Sequence, residues 1–148
     1  MKILSVLTLA LITSLTFTSC KKKSTPSNTP AASNWTILGI TYNGATTIAV
    51  GSNLISQDQT QPASNALYIH FSVLPTTSGT YTIAATADAT HCTLSAYVAA
   101  TPTSYVGTGG TITVTVTGGK ITANFTNGIQ AISTINNITP INGTLIEQ

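Results

Sequence analysis

The segment from Thr111 to Thr126 constrains the fold of this chain most, because apolar and polar residues alternate strictly on both sides of a Gly-Gly pair. Alternation with a period of two is typical of a strand with one buried face. Gly118-Gly119 supplies the positive φ angles that a two-residue type I′ turn requires. Pairing outward from that turn sets Val116 opposite Ile121, Val114 opposite Ala123, Ile112 opposite Phe125, Thr115 opposite Thr122, Thr113 opposite Asn124 and Thr111 opposite Thr126. Every apolar residue then falls on one side, which predicts a β-hairpin in a half-buried sheet.

The rest of the chain after residue 34 also favours strands. Threonine is very frequent, Val, Ile and Tyr recur, and no stretch shows a 3.6-residue period. We expect a turn at Asn43-Gly44 and a long loop from Gly51 to Asn65. About eight or nine short strands predict an all-β fold, an antiparallel two-sheet β-sandwich, with a small β-barrel as the alternative. The expected strands besides the hairpin are Trp35 to Tyr42, Thr46 to Val50, Leu67 to Leu74, Thr80 to Ala85, His91 to Val98, Gln130 to Ile135 and Asn142 to Ile146.

The N-terminal segment has the pattern of a secretory leader. Lys2 precedes an apolar run from Ile3 to Phe17, and Thr18-Ser19-Cys20 follows it. The run is about 15 residues long, short of the roughly 20 that a helix needs to cross a membrane. Residues 17–20 resemble the lipobox of bacterial lipoproteins, in which the cysteine becomes the lipid-modified N-terminus. We therefore expect a signal peptide over residues 1–19 and lipidation of Cys20; the alternative is an ordinary cleaved signal in which Cys20 is incidental.

Residues 20–33 are predicted to form a flexible tether, since after Cys20 they include no aromatic or branched aliphatic residue. The folded domain is expected over residues 34–148. The formal charge of +2 is due to lysines before that domain. From Ser33 onward the chain has one Lys and three acidic residues, so the formal charge of this part is −2. The chain has no Arg, so nucleic-acid binding is excluded as a function. With Cys20 lipidated, Cys92 has no partner for an intramolecular disulfide.

Several motifs together resemble the small β-sandwich lipoproteins of unknown function found in Bacteroidota. The resemblance lies in Ser78-Gly79-Thr80-Tyr81-Thr82-Ile83, in Tyr97 and Tyr105, in Gly109-Gly110-Thr111-Ile112-Thr113-Val114, in Gly119-Lys120-Ile121, in Phe125 and in Gly143-Thr144-Leu145. The resemblance implies an envelope lipoprotein with no assigned activity, and it assigns no catalytic residue to this chain. Surface-exported lipoproteins of that group often have acidic residues soon after the cysteine, whereas this chain has Lys21-Lys22-Lys23. We expect anchoring at the outer membrane, facing the periplasm.

The residues offer little support for catalysis or for a cofactor. Three carboxylates are spread over the chain, and neither a Gly-x-Ser-x-Gly elbow nor a phosphate-binding loop is present. The ligand-type residues are Asp88, His91 and Cys92, with His70 elsewhere. His91 and Cys92 would point to opposite faces of a strand, so they are poorly placed to share a metal. We expect no enzyme activity, no cofactor and no metal, and the roles of His70, His91 and Cys92 stay open.

Aromatic residues suggest one binding surface. Alternation puts Tyr68 and Tyr97 on the polar faces of their strands, where exposed rings can stack on sugars, and Tyr105 is a third candidate for glycan contact. The other interpretation is that these tyrosines are half-buried or packed inside. The sequence thus favours a non-catalytic envelope protein with a structural or partner-docking role, and the alternative is a tethered glycan-binding or adhesive module. The expected partners are the membrane, through the lipid, and an envelope protein or polysaccharide.

Overall fold

A computed structural model describes residues 32–58 and 65–148. Predictions for residues 1–31, among them the leader, Cys20 and most of the tether, lie outside the described residues. The described residues form eleven β-strands and no helix, which confirms the all-β prediction. The strands are β1 (Ser33–Ile37), β2 (Ile40–Val50), β3 (Asn53–Asp58), β4 (Asn65–Phe71), β5 (Gly79–Ile83), β6 (His91–Val98), β7 (Thr103–Gly109), β8 (Thr111–Thr117), β9 (Lys120–Asn124), β10 (Ile129–Ser133) and β11 (Ile138–Ile146).

All eleven strands belong to one hydrogen-bonded sheet, in the order β1-β2-β3-β4-β6-β5-β8-β9-β11-β10-β7. The pairing of β5 with β6 is parallel, and the other neighbours are antiparallel. Further pairings of β1 with β11 and of β6 with β7 close the sheet on itself. Every strand therefore has at least two neighbours, which removes the long open edges at which sheets aggregate.

The predicted two-sheet sandwich of eight or nine strands is not confirmed, because two strands join the layers into one sheet. The start of β6 pairs with β5, whereas Ser95 to Val98 pair with β7. In the same way, the start of β11 pairs with β10, and Thr144 to Ile146 pair with β9. The sheet thus forks at β6 and β11, and eleven strands enclose a single core.

The β8–β9 hairpin confirms the register predicted from alternation near the turn, whereas the predicted pairs Ile112–Phe125 and Thr111–Thr126 do not form because β9 ends at Asn124. Val116 lies opposite Ile121, Val114 opposite Ala123 and Thr113 opposite Asn124. Gly118 and Gly119 have φ angles of 59° and 78°, as a type I′ turn requires. The apolar face joins a core cluster of buried side chains. The largest fully buried members of that core are Trp35, Phe71, Phe125, Ile37, Leu54, Leu67, Ile69, Leu94, Ile112, Ile121, Ile129 and Ile141.

Other local predictions were wrong. Asn43-Gly44 is not a turn, because β2 continues through it and the chain reverses at Leu38-Gly39 with positive φ angles. The predicted loop from Gly51 to Asn65 contains β3, which alternation did not reveal because two of its three buried positions, Ser56 and Asp58, are polar. Strand β7 was also not expected, because its two apolar residues, Tyr105 and Val106, are adjacent and two of its seven residues are glycines.

The start of the fold is fixed by Ser33, which the sequence analysis assigned to the tether. Ser33 is fully buried in β1. Its hydroxyl oxygen accepts a hydrogen bond from the backbone N–H of Ile146 (2.8 Å) and lies 2.6 Å from the Thr47 hydroxyl. These bonds join β1 to β2 and β11 where the sheet closes.

Candidate functional site

A row of mostly apolar side chains crosses the outer face of the closed sheet, and we call it the outer row. Its members lie directly opposite one another on seven neighbouring strands, from β2 to β11. The interior positions of these strands already hold the core, so the outer row points away from it. The outer row consists of Ile48, Ile55, Tyr68, Ser95, Val106, Ile132 and Ile138.

Exposure is greatest toward the two ends of the outer row. Val106 is 50% exposed and Ile138 is 71% exposed, and Ile48 is exposed at the other end. Ile55, Tyr68 and Ile132 are half-buried. Ser95 divides the row into a β2–β4 half and a β7–β11 half.

The wall that carries the outer row has no Lys, Arg, Asp or Glu on its outer face in the described strands. The described chain has four charged side chains, and these lie elsewhere: Asp58 is buried in β3, Asp88 and Lys120 lie near or in turns, and Glu147 follows β11. A partner on this wall therefore meets apolar groups and hydrogen-bonding groups, among them the exposed imidazole of His70.

Tyr68 and Tyr97 are brought together beside the outer row. Tyr68 lies opposite Ser95, and Tyr97 is two residues further along β6. Such diagonal neighbours are typically about 7–8 Å apart, within reach of aromatic side chains. Tyr97 is 38% exposed, and Tyr68 is half-buried. Tyr105, in contrast, is 4% exposed and lies on the interior face, so it cannot contact a glycan together with Tyr68 and Tyr97.

Tyr105 instead belongs to a polar part of the interior. Burial, Asp58 and Tyr105 all raise the pKa of Tyr42, with burial the largest cause. The Tyr42 ring packs on Trp35 with centroids 4.3 Å apart. The indole Nε1 of Trp35 and the hydroxyl of Ser56 are buried and have no hydrogen-bond partner. These residues shape the interior of the closed sheet and offer no access from solvent.

Asp88 and His91 form a hydrogen-bonded pair in the turn before β6. The Asp88 carboxylate accepts hydrogen bonds from the backbone N–H groups of Thr90 (2.7 Å) and His91 (2.8 Å). It also lies 2.8 Å from His91 Nδ1. The Thr90 N–H and then the His91 side chain are the main causes that lower the pKa of Asp88 to about 2. The pair stabilises the turn and keeps a charged carboxylate at the surface.

The remaining ligand-type residues are separate from that pair. His70 Nδ1 lies 3.0 Å from the Asn53 side-chain oxygen on the neighbouring strand. Cys92 is free and buried, and burial raises the pKa of its thiol to about 12. Among residues 32–58 and 65–148, no three His, Cys, Asp or Glu side chains are grouped as a metal site would require.

Comparisons with protein families, with curated proteins and with solved structures found no match for this chain. Among the residues described, no helix has the length and apolar character needed to cross a membrane.

Sequence reasoning named Tyr68 and missed the rest of the outer row. A usable signal exists in adjacent apolar residues that break the alternation. Tyr105-Val106 and Ala131-Ile132 are such pairs, and one member of each lies inside while the other lies on the outer face. The direct opposition of these residues across strands needs the registers of distant strands, which local pattern does not provide.

Proposed function

We propose that this chain is a non-catalytic, lipid-anchored protein of a bacterial envelope whose β domain docks a protein partner through the outer row. The outer row carries the proposal, because it aligns exposed apolar side chains on a wall without Lys or Arg in the described strands. Contiguous apolar surface of this kind is characteristic of protein interaction sites. The leader and Cys20 support attachment through lipid at the outer membrane, facing the periplasm.

The occupant is a protein with an apolar, weakly charged contact surface. A wall without Lys or Arg gives little electrostatic attraction to anions, so an anionic polysaccharide or a nucleic acid gains little there. The apolar side chains of Val106 and Ile138 favour a partner that buries them. The single core cluster also supports a finer description of the domain, in which opposite walls of the closed sheet pack as two layers.

The hydroxyl–imidazole contacts among the described side chains do not form a triad, which is consistent with a role without catalysis. The Ser52 hydroxyl lies 3.2 Å from His70 Nδ1, but the same nitrogen contacts the Asn53 amide oxygen and not a carboxylate. The Asp88–His91 pair has the orientation of a base and its partner. The hydroxyls nearest to it do not complete a site: Thr90 bonds the same carboxylate, and Ser72 donates to the Asp88 backbone carbonyl (2.8 Å). A catalytic site of the triad type needs a nucleophile bonded to the far imidazole nitrogen.

The test is co-purification from detergent-solubilised envelope with a substitution in the outer row. Val106→Asp puts a charge on the exposed apolar surface and should leave folding intact while it removes a stoichiometric protein partner. Thr113→Asp is the matched control, because Thr113 is exposed on β8, outside the outer row. Retention of the same partner by Val106→Asp, or loss in both variants, would contradict docking through this surface.

Glycan binding is a second candidate, and the placement of Tyr68 and Tyr97 on one outer face favours it. Two rings at diagonal positions provide a surface on which sugars can stack. Replacing both by Ala should abolish retention on polysaccharide and lower the stability by no more than about 1 kcal/mol, as is usual for surface positions. Unchanged retention, or a much larger loss of stability, would reject this candidate.

A further inference from the structure

A shallow cleft of about 250 Å³ lies between the segment that follows β4 and the turn that precedes β6. The two segments are joined at the cleft by the Ser72 hydroxyl, which donates to the backbone carbonyl of Asp88 (2.8 Å). The volume is below the roughly 300–1,000 Å³ of pockets that enclose drug-sized ligands, so the cleft suits a single ring or an end group. Its lining includes Ser72, Leu74, Thr76, Thr77, Tyr81 and Asp88.

One side of the cleft is an acceptor with spare capacity. Asp88 Oδ1 already accepts from the backbone N–H groups of Thr90 and His91 and from the Thr90 hydroxyl. Within the described part of the chain, Oδ2 contacts only His91 Nδ1, at 2.8 Å, and that nitrogen lies equally close to Oδ1. A carboxylate oxygen accepts about two hydrogen bonds, so Oδ2 can receive one more donor. The Asp88 side chain is 61% exposed, which leaves that position open to a ligand.

The other side of the cleft is apolar and is formed mainly by the aromatic ring of Tyr81. Tyr81 packs against Phe71 with ring centroids 5.0 Å apart and an interplanar angle of 73°. This edge contact holds the Tyr81 ring while it remains half-buried at the cleft. Leu74 adds further apolar surface, and the exposed hydroxyls of Thr76 and Thr77 make no hydrogen bond within the described part of the chain.

The charged groups at the cleft limit the kind of ligand that it can bind. The lining residues include no Lys or Arg, and the nearest ionised group is the Asp88 carboxylate. A phosphate or an acidic sugar would be repelled there. His91 already donates to that carboxylate, which reduces the gain that a cationic ligand would obtain from it. What remains is a neutral molecule that combines hydroxyl donors with an apolar face, and a pyranose ring has both.

We propose that the cleft between residues 72–77 and 88–89 binds the end group of a neutral saccharide. Tyr81 and Leu74 contact the apolar face of the sugar, Asp88 Oδ2 accepts from a sugar hydroxyl, and Thr76 and Thr77 bond the hydroxyls beside it. Tyr68 and Tyr97 are not among the lining residues. The cleft is thus separate from the outer row, and its function does not depend on the docking proposed above.

The test is a chemical-shift titration of the ¹⁵N-labelled full chain in detergent with neutral methyl glycosides. We expect saturable shifts confined to residues 72–77, 81 and 88–90. The Thr76→Val/Thr77→Val variant keeps the shape of both side chains and removes two hydroxyls. It should bind at least about tenfold more weakly, and Asp88→Asn should do the same, because hydrogen bonds to a charged group are the stronger ones.

Thr134→Val is the matched control, since Thr134 is exposed in the turn between β10 and β11, outside the cleft lining. It should bind as the unchanged protein does. The proposal is overturned if the cleft residues do not shift, if they shift with lysine methyl ester and not with glycosides, or if the threonine variant binds like the control. Loss of the protein partner in Val106→Asp would leave these shifts unchanged, so the two proposals fail independently.

Discussion

Closure of the sheet can be tested at one glycine. Gly143 on β11 lies opposite Trp35 on β1. A Cβ atom at residue 143 would lie 2.5 Å from the Asn34 carbonyl oxygen and 2.7 Å and 2.8 Å from the Cα and Cβ atoms of Trp35. Two of these three atoms belong to the backbone, so no side-chain rotation relieves the contacts. Gly143→Ala must therefore separate β1 from β11 or distort both strands.

The loss of stability that we expect for Gly143→Ala follows from these close contacts. Overpacking a core by one methyl group typically costs about 1–3 kcal/mol, and a clash with paired backbone lies at or above the upper end of that range. A loss of about 3 kcal/mol lowers the melting temperature of a domain of this size by roughly 10–20 °C. Gly109→Ala is the control, because a Cβ at that position meets no atom within 4 Å. It should change the stability by about 1 kcal/mol or less.

Trp35 is the one tryptophan of the chain and is fully buried, so its fluorescence reports unfolding directly. Urea denaturation of Gly143→Ala and Gly109→Ala, followed at this residue, gives the two differences in the free energy of unfolding. Equal stability of the two variants would refute the close approach of β1 to β11, and with it the closed sheet.

The other predictions concern the hairpin, the surface turn and the anchor. Val114→Asp should unfold the domain because it buries an unpaired charge, whereas Thr113→Asp should cost far less; similar melting losses would show that the hairpin register is wrong. The Asp88 carboxylate has a folded-state pKa of about 2, below its ordinary 3.8, so its contribution to stability is complete above that ordinary value and is lost as the pH falls toward 2. Acid unfolding of Asp88→Asn should lack this component, and an identical pH profile for both proteins would contradict it. Cys20→Ser should abolish metabolic labelling with a fatty acid, and a labelled variant would defeat the lipid anchor.

The local sequence pattern was sufficient to predict the structure where the paired strands are neighbours in the sequence. The turn and the inner register of the β8–β9 hairpin were predicted correctly, because alternation and two adjacent glycines determine both together; the predicted extension to Phe125 and Thr126 was wrong, since β9 ends at Asn124. The turn between β1 and β2 was misplaced, because Leu38 adopts a positive φ angle that non-glycine residues rarely take. Asn43-Gly44, a strong turn signal, instead lies inside β2, where the pairing of β1 with β2 shifts register.

Long-range pairing accounts for what the sequence could not provide. The fork at β6 and β11 requires each strand to change partners along its length, and no residue in either strand marks that change. The candidate sites depend on the same registers. Tyr68 and Tyr97 were placed on outer faces from alternation alone, but Tyr105 occupies the interior because β7 pairs with β6 and β10 in the observed register.

Docking through the outer row is tested most directly by site-specific photocrosslinking in intact cells. A photoreactive residue at position 106 lies on the exposed apolar surface, and one at position 113 is also exposed, on β8. We expect a single discrete crosslinked protein from position 106 and none from position 113. The same adduct from both positions, or no adduct from position 106 in a cell that holds the anchored protein, would contradict the proposed docking surface.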